Sequence, residues 1–436
     1  MTTADTQEDR GPETVGFRRR QAKRERAQAV VAGQPLLAGI DLGQKRHAAF
    51  TIDRDLVPID RFFFPHSWEG LEKFLERARR PLAVGRFDRL VVFMETTGHL
   101  WQVVANLLEA RGIEYHTVAP VSVGRQREIE HLTYAKSDYR DAELIAGLGA
   151  RGNWLHRTLH REPLWLRLHA LALEHESILE LELAERLRVR SLLGLALPEF
   201  LDCFKDPTKK TARRILKKLS RPAAEIPQNY GALVERVTET FGRSSKVRRL
   251  VARLDLGQVI GVERALGPAL ARLGRAVDRY ELLSGQRDDI RAQLVRLYEA
   301  TPYRAVLDTI PGVSPESHAL VLGFVGDPKQ YDRATCLTKL AGTEPRDNAS
   351  GNAEGRHSIA RRGSPQLRHI AHRIVMGLML NNDEFAAHLR RLQQRAKDPL
   401  AYHQAAVATA NKYLRVFYHV CVSGKPYDAS KLGPRT

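Results

Sequence analysis

Leu36-Leu37-Ala38-Gly39-Ile40-Asp41-Leu42-Gly43 is a short apolar run that ends in a carboxylate and a glycine. A buried strand reads this way when it carries one acid out of the apolar layer at its edge, where a cation can meet it. Lys45-Arg46-His47-Ala48-Ala49-Phe50-Thr51-Ile52-Asp53 follows and reads as a second strand folding back through a tight turn. An acid in a buried strand must be paired, protonated or bound to a metal. Taken alone, Asp41 reads better as a cap on the turn. Its partners along the chain change that balance.

Arg61-Phe62-Phe63-Phe64 makes a third strand. Ser67 then caps a helix, with Glu69 in its first turn and Leu71, Phe74 and Leu75 at helical spacing. Arg89-Leu90-Val91-Val92-Phe93-Met94-Glu95 is a second buried-strand signal, again ending in a carboxylate. Thr96-Thr97-Gly98 turns the chain into a helix through Trp101, Val104, Leu107 and Leu108, closed by Gly112. Glu114 to Pro120 is a further short strand, and a last helix holds Lys136-Ser137-Asp138-Tyr139-Arg140-Asp141-Ala142-Glu143-Leu144-Ile145-Ala146. The order β-β-β-α-β-α-β-α predicts a mixed sheet flanked by helices.

The composition narrows the partner. The chain has 436 residues, 43% of them hydrophobic, which is enough for two or three domains with real cores. Lys and Arg number 69 against 51 Asp and Glu, a net charge of +18. That balance favours a polyanion, and over this length nucleic acid ahead of a membrane surface. No apolar run approaches the ~18 residues of a membrane span, and the N-terminus carries no apolar signal core. Cys203, Cys336 and Cys421 lie far apart and fit no zinc spacing, so they read as thiols in a reducing cytoplasm.

The carboxylates then combine. Asp41 and Glu95 each end a strand, and neighbouring strand ends converge on one edge of such a sheet. Asp138 and Asp141 are three apart and share one face of a helix. Like charges held that close repel, and a divalent cation between them makes the arrangement tolerable. Four acids from two strand ends and one helix fit a two-metal site, with ions roughly 3.5–4 Å apart clamping an in-line phosphoryl displacement. All-oxygen ligands suit Mg²⁺ or Mn²⁺. The competing reading for Asp138 and Asp141 is a solvated helix face with Arg140 as partner.

Ala38-Gly39-Ile40-Asp41-Leu42-Gly43, Met94-Glu95-Thr96-Thr97-Gly98 and Lys136-Ser137-Asp138-Tyr139-Arg140-Asp141-Ala142 resemble, in order and spacing, the motifs of the DEDD insertion-sequence transposases. These are relatives of the Piv site-specific DNA invertase, and some are RNA-guided ("bridge RNA") recombinases. The resemblance implies an N-terminal domain similar to the Holliday-junction resolvase RuvC, with a ribonuclease-H-like fold. It makes Asp41, Glu95, Asp138 and Asp141 the metal-binding tetrad.

The middle of the chain changes character. Leu164, Leu168, Leu171 and Leu173, then Ile178, Leu181, Leu183 and Leu187, recur among charges as in a long amphipathic helix, which Pro198-Glu199-Phe200 interrupts. Lys209, Lys210, Arg213, Arg214, Lys217 and Lys218 crowd a short helix and form a candidate phosphate-facing patch. Residues 262–298 return to long-helix patterning with Leu266, Leu270, Leu273 and Val277. Two long helices around a smaller module predict an antiparallel coiled-coil arm; a helical spacer with a basic solvated face is the plainer alternative. In the resembled family such an arm serves assembly and nucleic-acid contact.

In the C-terminal third, the turn Ile310-Pro311-Gly312-Val313-Ser314-Pro315 either aims backbone N–H groups at a DNA phosphate or simply joins two helices. Ser350 sits in a Gly/Asn-rich loop, where serine usually serves the turn. Yet a hydroxyl beside Gly351, with Arg346, Arg356, Arg361 and Arg362 near in sequence, can attack a DNA phosphate while the cations stabilise the developing charge. The resemblance extends here, through the Ser-Gly pair and the downstream run Ile359-Ala360-Arg361-Arg362-Gly363-Ser364-Pro365-Gln366-Leu367-Arg368. It implies that Ser350 is the covalent nucleophile, and Arg368 reads as a phosphate ligand. His357 reads as a solvated histidine.

The expected fold class is α/β plus α: a ribonuclease-H-like (RuvC-like) mixed-sheet domain, a long helical coiled-coil arm and a mostly helical C-terminal domain. The expected divisions are a disordered basic arm over 1–34, the catalytic domain over 35–155, the helical arm over 156–300, the serine-bearing domain over 301–425 and a tail over 426–436. The expected function is a cytoplasmic, nucleoid-associated DNA transposase or recombinase. It cuts and rejoins element ends and target with a Mg²⁺-bound tetrad and a serine nucleophile, guided by RNA and acting as a dimer or tetramer. A metal-dependent junction resolvase that activates water, and a catalytically inactive nucleic-acid-binding protein, are the alternatives.

Overall fold

The computed structural model of the chain describes residues 21, 25, 28–96, 98, 100–131, 137–152, 162–242, 244–255, 259–346, 358–396 and 398–432. They fall into two compact units, Met1–Leu159 and His160–Thr436.

The first unit is a five-stranded mixed sheet with helices on both faces. Its strands are β1 (Pro35–Asp41), β2 (Arg46–Ile52), β3 (Pro58–Pro65), β4 (Arg89–Glu95) and β5 (Glu114–Val118), in the order β3-β2-β1-β4-β5. β1 pairs antiparallel with β2 and parallel with β4; β2 pairs antiparallel with β3, and β4 parallel with β5. The strict alternation of β1 explains its unbroken apolar run, because both faces are covered. Leu36, Ala38 and Ile40 pack on helices α1 (Trp68–Ala83) and α2 (Leu100–Ala110). Leu37 faces the other way, with Val91, Phe93, Ala142 and Ala146.

That second face is covered by α4 (Asp138–Ala150), which crosses β1, β2 and β4. The approach depends on glycine. A Cβ on Gly39 would stand 2.1 Å from the carbonyl oxygen of Ala142 and 2.5 Å from the nitrogen of Ala146. Further along, the Phe93 ring fills the space a side chain on Gly149 would need.

One element differs from the expected order. Between β5 and α4 the chain forms helix α3 (Pro120–His131), which packs on α4. Its sequence carries no apolar stripe, so periodicity is silent there, although Pro120 stands at a first helical position as proline often does. Ordered chain also begins before residue 35. Arg89 donates to the carbonyls of Val30 and Ala32, both at 2.9 Å, and Val30 is buried. Of the basic cluster 18–26, all but Gln21 and Glu25 lies outside the described residues.

The second unit is almost all helix. Two 34-residue helices, α5 (Pro163–Ala196) and α10 (Leu266–Glu299), pack along each other, and their ion pairs Glu185–Arg279 and Glu182–Arg287 run in antiparallel register. One core gathers their adjoining ends with α6 (Pro198–Cys203), α7 (Lys210–Leu219), α8 (Tyr230–Phe241) and α9 (Ser245–Asp255). The other joins their opposite ends to α11 (Arg304–Leu307), α12 (Pro315–Val325), α13 (Thr335–Ala341), α14 (Pro365–Asn381), α15 (Asp383–Gln394) and α16 (Tyr402–Ser423).

The leucine pattern of α5 is corrected in detail. Leu168 and Ile178 are buried, but Leu173, Leu181, Leu183 and Leu187 are 42–58% exposed, while Glu182 and Glu185 are buried. Arginines from α10 neutralise these two glutamates, so an apparent solvent position lies in the seam. Cys203 and Cys421 are buried, Cys336 is half-buried, and all three are free thiols. Among the described residues no helix is long and apolar enough to cross a membrane.

Candidate functional site

The acidic edge is built by strand register. Ile40 pairs with Met94 in the parallel β1–β4 ladder, so Asp41 and Glu95 leave the sheet side by side at its C-terminal edge. Side chains alternate along a strand. Asp41 therefore shares the face of Leu37 and Gly39, and Glu95 that of Val91 and Phe93, which is the face bearing α4. The first turn of α4 brings Asp138 and Asp141 to that face, with the helix dipole favouring negative charge there.

Three of the four acids are accessible to different degrees: Asp41 and Glu95 are half-buried and Asp138 is exposed. Asp141 is buried at 2% exposure and forms an ion pair with Arg127 of α3. Arg127 Nε and Nη2 both donate to Asp141 Oδ1, at 2.8 and 2.7 Å. Arg127 lies one turn beyond the buried Val123, on the same side of α3. Arg127, rather than the Arg140 of the competing reading, is thus the partner of Asp141. The sequence reading missed it because α3 itself was not legible.

The donor set is all oxygen and suits a hard divalent cation. The register puts Asp41 and Glu95 on adjacent strand ends, yet among the described residues no three carboxylates, histidines or cysteines are grouped as a metal site requires.

The turn after Asp41 is fixed by a histidine pair. Gly43 N–H donates to His47 Nδ1 at 3.2 Å, which leaves the His47 proton on Nε2, 2.9 Å from His66 Nδ1. Burial, with His66 adding to it, pushes the His47 pKa down to about 4. The ring is neutral at pH 7 and acts as a brace.

The sites in the second unit are described in part. Ser350, Arg356 and His357 lie outside the described residues, and of Arg346 only the backbone is described. The strands on either side of this segment, β6 (Pro345–Arg346) and β7 (Ser358–Ile359), pair antiparallel. Arg361 and Arg362 are exposed. Their backbone is held against the end of α13: Arg361 N–H donates to the Gly342 carbonyl at 3.0 Å and Ser364 N–H to that of Leu340 at 2.7 Å. Gly363, at φ +140°, lies where a Cβ would be 2.3 Å from the Leu340 oxygen. Arg368 donates to the Ala341 carbonyl at 2.9 Å, so its guanidinium caps α13. Gly312 (φ +84°) packs against the backbone of Gly377.

In the basic patch, Arg213 faces Glu281 at 3.5 Å, and Lys217 reaches Glu281 at 2.7 Å and Asp278 at 3.3 Å. Lys209, Lys210, Arg214 and Lys218 are exposed. Lys210, Arg214, Lys217 and Lys218 line an open cleft with Arg221 and Phe241.

Comparison with known proteins now adds a family. A DEDD-type IS110 transposase domain matches residues 38–198, and a domain described as "Transposase IS116/IS110/IS902 family" matches residues 304–390. An "Insertion element IS110 uncharacterized 43.6 kDa protein" of Streptomyces coelicolor is 26% identical over 221 residues, covering 51% of this chain and 50% of that protein. A "Transposase for insertion sequence element IS1111A" of Coxiella burnetii is 24% identical over 204 residues, covering 46% of this chain and 52% of that one. The chain thus spans about half the length of the curated relatives it matches. The first match contains the acidic edge, the second contains Ser350, and together they cover more than half of the sequence: the chain belongs to the IS110 family of transposases.

Proposed function

We propose that this protein is a DNA transposase that cuts and rejoins strands by serine chemistry. The observation that carries the proposal is the acidic edge. Asp41 and Glu95 end adjacent parallel strands, on the face where the first turn of α4 brings Asp138 and Asp141. The order β3-β2-β1-β4-β5, with only β2 antiparallel to its neighbours, supports the ribonuclease-H-like, RuvC-like reading of this unit.

The tetrad would hold Mg²⁺ or Mn²⁺, two ions in the family's pattern, and the bound cation supplies charge neutralisation at the scissile phosphate. Asp138, exposed at the helix start, and Asp41 and Glu95 at the strand ends are the groups a cation reaches first. Arg127, paired with Asp141, would orient that carboxylate within the tetrad.

The Ser350 hydroxyl attacks the phosphorus. The Oγ–P bond forms as the P–O3′ bond breaks, giving a 5′-phosphoserine linkage and a free 3′-hydroxyl that takes up a proton. Attack by another strand's 3′-hydroxyl then reverses the step and releases the serine. Arg346, Arg361, Arg362, Lys209, Lys210 and Arg214 are the cations assigned to backbone phosphates. Arg213 and Arg368, both engaged within the fold, serve that role through their placement of neighbours.

Element ends, target DNA and a guide RNA make up the partner set, the RNA following from the family. A homo-oligomer supplies the several active sites needed, and Leu173, Leu181, Leu183 and Leu187, exposed on α5, support assembly through the arm.

The test incubates the full chain with its flanking DNA and the transcript from that DNA in Mg²⁺, then denatures and looks for DNA covalently attached to protein. An adduct lost in both Ser350→Ala and Asp138→Ala is the expected result. Cleavage without an adduct, unaffected by Ser350→Ala, would replace serine chemistry with a water-activating resolvase.

A further inference from the structure

Beside the acidic edge, the first unit carries a column of alternating guanidinium and aromatic groups. Phe63 of edge strand β3 packs against Tyr139 of α4, with ring centroids 4.2 Å apart. The Arg46 guanidinium lies over the Phe63 ring at 4.0 Å, and that of Arg61 over the Tyr139 ring at 5.4 Å. Phe63 is 36% exposed, and Arg46 and Arg61 are exposed.

Neither core uses the exposed part of this column. Phe62 and Phe64 turn into the opposite face and pack there with Phe74, which leaves Phe63 projecting at the sheet's open edge. Besides Arg46 and Arg61, their chain neighbours Lys45 and Arg140 are exposed, and among the described residues no ion pair joins any of these four cations to a carboxylate. Arg77, by contrast, is committed to Asp60 at 2.8 Å.

The register ties the column to the acids. Asp41 pairs with Ala48, and Ala48 with Phe63, so the three lie in one row across the sheet and on one face. Two strand spacings, about 10 Å, separate the row's ends. Tyr139 itself stands between Asp138 and Asp141 in the chain.

We propose that the Arg46–Phe63–Tyr139–Arg61 column is a docking platform for an unpaired stretch of a DNA strand, which it delivers to the acidic edge. Unpaired bases stack on aromatic rings and on guanidinium planes, and the free forks of the same arginines bind the flanking phosphates. Duplex DNA hides its base faces and gains nothing from such a column beyond charge. The platform therefore selects strands already melted, and it places the phosphate next to the stacked base at the carboxylates. The proposal rests on the transposase reading for its choice of DNA.

The test measures binding of a fluorescein-labelled oligo(dT) 20-mer by anisotropy across a salt series, using the full chain. Parallel arms use an oligo(rU) 20-mer and a duplex of the same length. Phe63→Leu and Tyr139→Leu keep apolar cover but remove the stacking faces, and each is expected to weaken oligo(dT) binding by about tenfold. Arg46→Gln is expected to lower the salt slope by about 0.7 for each phosphate that the arginine neutralises in wild type. Duplex affinity stays unchanged in the leucine variants, and thermal midpoints checked in parallel report that they are folded.

Oligo(dT) affinity equal to wild type in folded Phe63→Leu and Tyr139→Leu would overturn the platform, and so would a loss confined to oligo(rU). Either result leaves the transposase reading standing if the wild-type protein still forms its serine adduct. Wild type that binds neither single strands nor duplex would remove both.

Discussion

Arg127 and Asp141 form a buried ion pair in which two guanidinium nitrogens converge on one carboxylate oxygen, at 2.7 and 2.8 Å. Asp141 is 2% exposed, so desolvation alone would make its charge costly. Removing the arginine leaves that charge without its partner. Arg127→Ala is expected to destabilise the first unit by about 3–5 kcal/mol. Under the proposed function Mg²⁺ then has an open carboxylate to occupy, so it should raise the variant's thermal midpoint more than that of wild type. Thermal unfolding with and without Mg²⁺ checks both. A variant as stable as wild type would show that Asp141 needs no partner.

The crossing of α4 over β1 depends on the missing side chain at Gly39. A Cβ there meets main-chain atoms of Ala142 and Ala146, and main chain cannot turn aside as a side chain does. Gly39→Ala should cost about 3 kcal/mol, the upper end for overpacking, and displace the helix carrying Asp138 and Asp141. Gly124 in α3 is the control, because a Cβ there meets nothing within 4 Å. Gly124→Ala should stabilise by about 0.4–1 kcal/mol by reducing unfolded-chain freedom. Urea unfolding of the two variants reads the difference.

Much of the first unit was legible because its elements bury continuous or periodic apolar runs. The acid-ended strands β1 and β4, the Ser67 cap and the Gly112 turn all follow from local chemistry. Helix α3 was not legible, since it docks through a few residues such as Val123 while polar ones fill the rest of its surface. Arg127 was lost with it. In α5 the reading failed in the opposite sense. Counting leucines marks Leu181 and Leu187 as core, but arginines across the seam make Glu182 and Glu185 the buried pair. No periodicity in one helix reports the charges of another. Likewise the column at Phe63 joins residues from three separate elements, which only strand register brings together.

Acid should weaken the second unit through His318. The ring is fully buried between Tyr298 and Phe417, and burial pushes its pKa down to about 4. The folded value lies below the unfolded one near 6.5, so the unfolded chain binds the proton first as pH falls. The associated stability is fully present above about pH 6.5 and is lost progressively down to about pH 4, at up to about 1.4 kcal/mol per pH unit. His175 acts in the opposite sense. Burial lowers its pKa, but Glu176 and Glu316 outweigh that and raise it, so its contribution is fully present below about pH 6.5 and is lost as pH rises from there through the raised value. Denaturant unfolding from about pH 7.5 to about pH 4.5 should show falling stability, and His318→Phe should make the fall shallower. An unchanged slope in that variant would assign the loss elsewhere.

The ion pairs of this protein should differ in worth according to burial. Glu176, 5% exposed on α5, accepts from both Nη atoms of Arg373 on α14, at 2.6 and 2.9 Å, and also meets His175. It ties the long helix to the core around α14, and without Arg373 the buried carboxylate is left to its contact with His175. Because Arg373 is itself 41% exposed and His175 stays beside Glu176, Arg373→Ala should cost about 2–3 kcal/mol, at or below the low end for a buried pair. On the first unit, Arg80 and Glu76 form an i,i+4 pair at 3.2 Å with both side chains 70% exposed. Solvent screens that pair and side-chain entropy opposes it, so Arg80→Ala should change stability by no more than about 0.5 kcal/mol. The two variants, unfolded in urea at low and high salt, separate the cases. Arg80→Ala should lose what little effect it has when salt is added, whereas the Arg373→Ala deficit should persist, because the stranded Glu176 carboxylate is shielded from ions by the same packing that buries it.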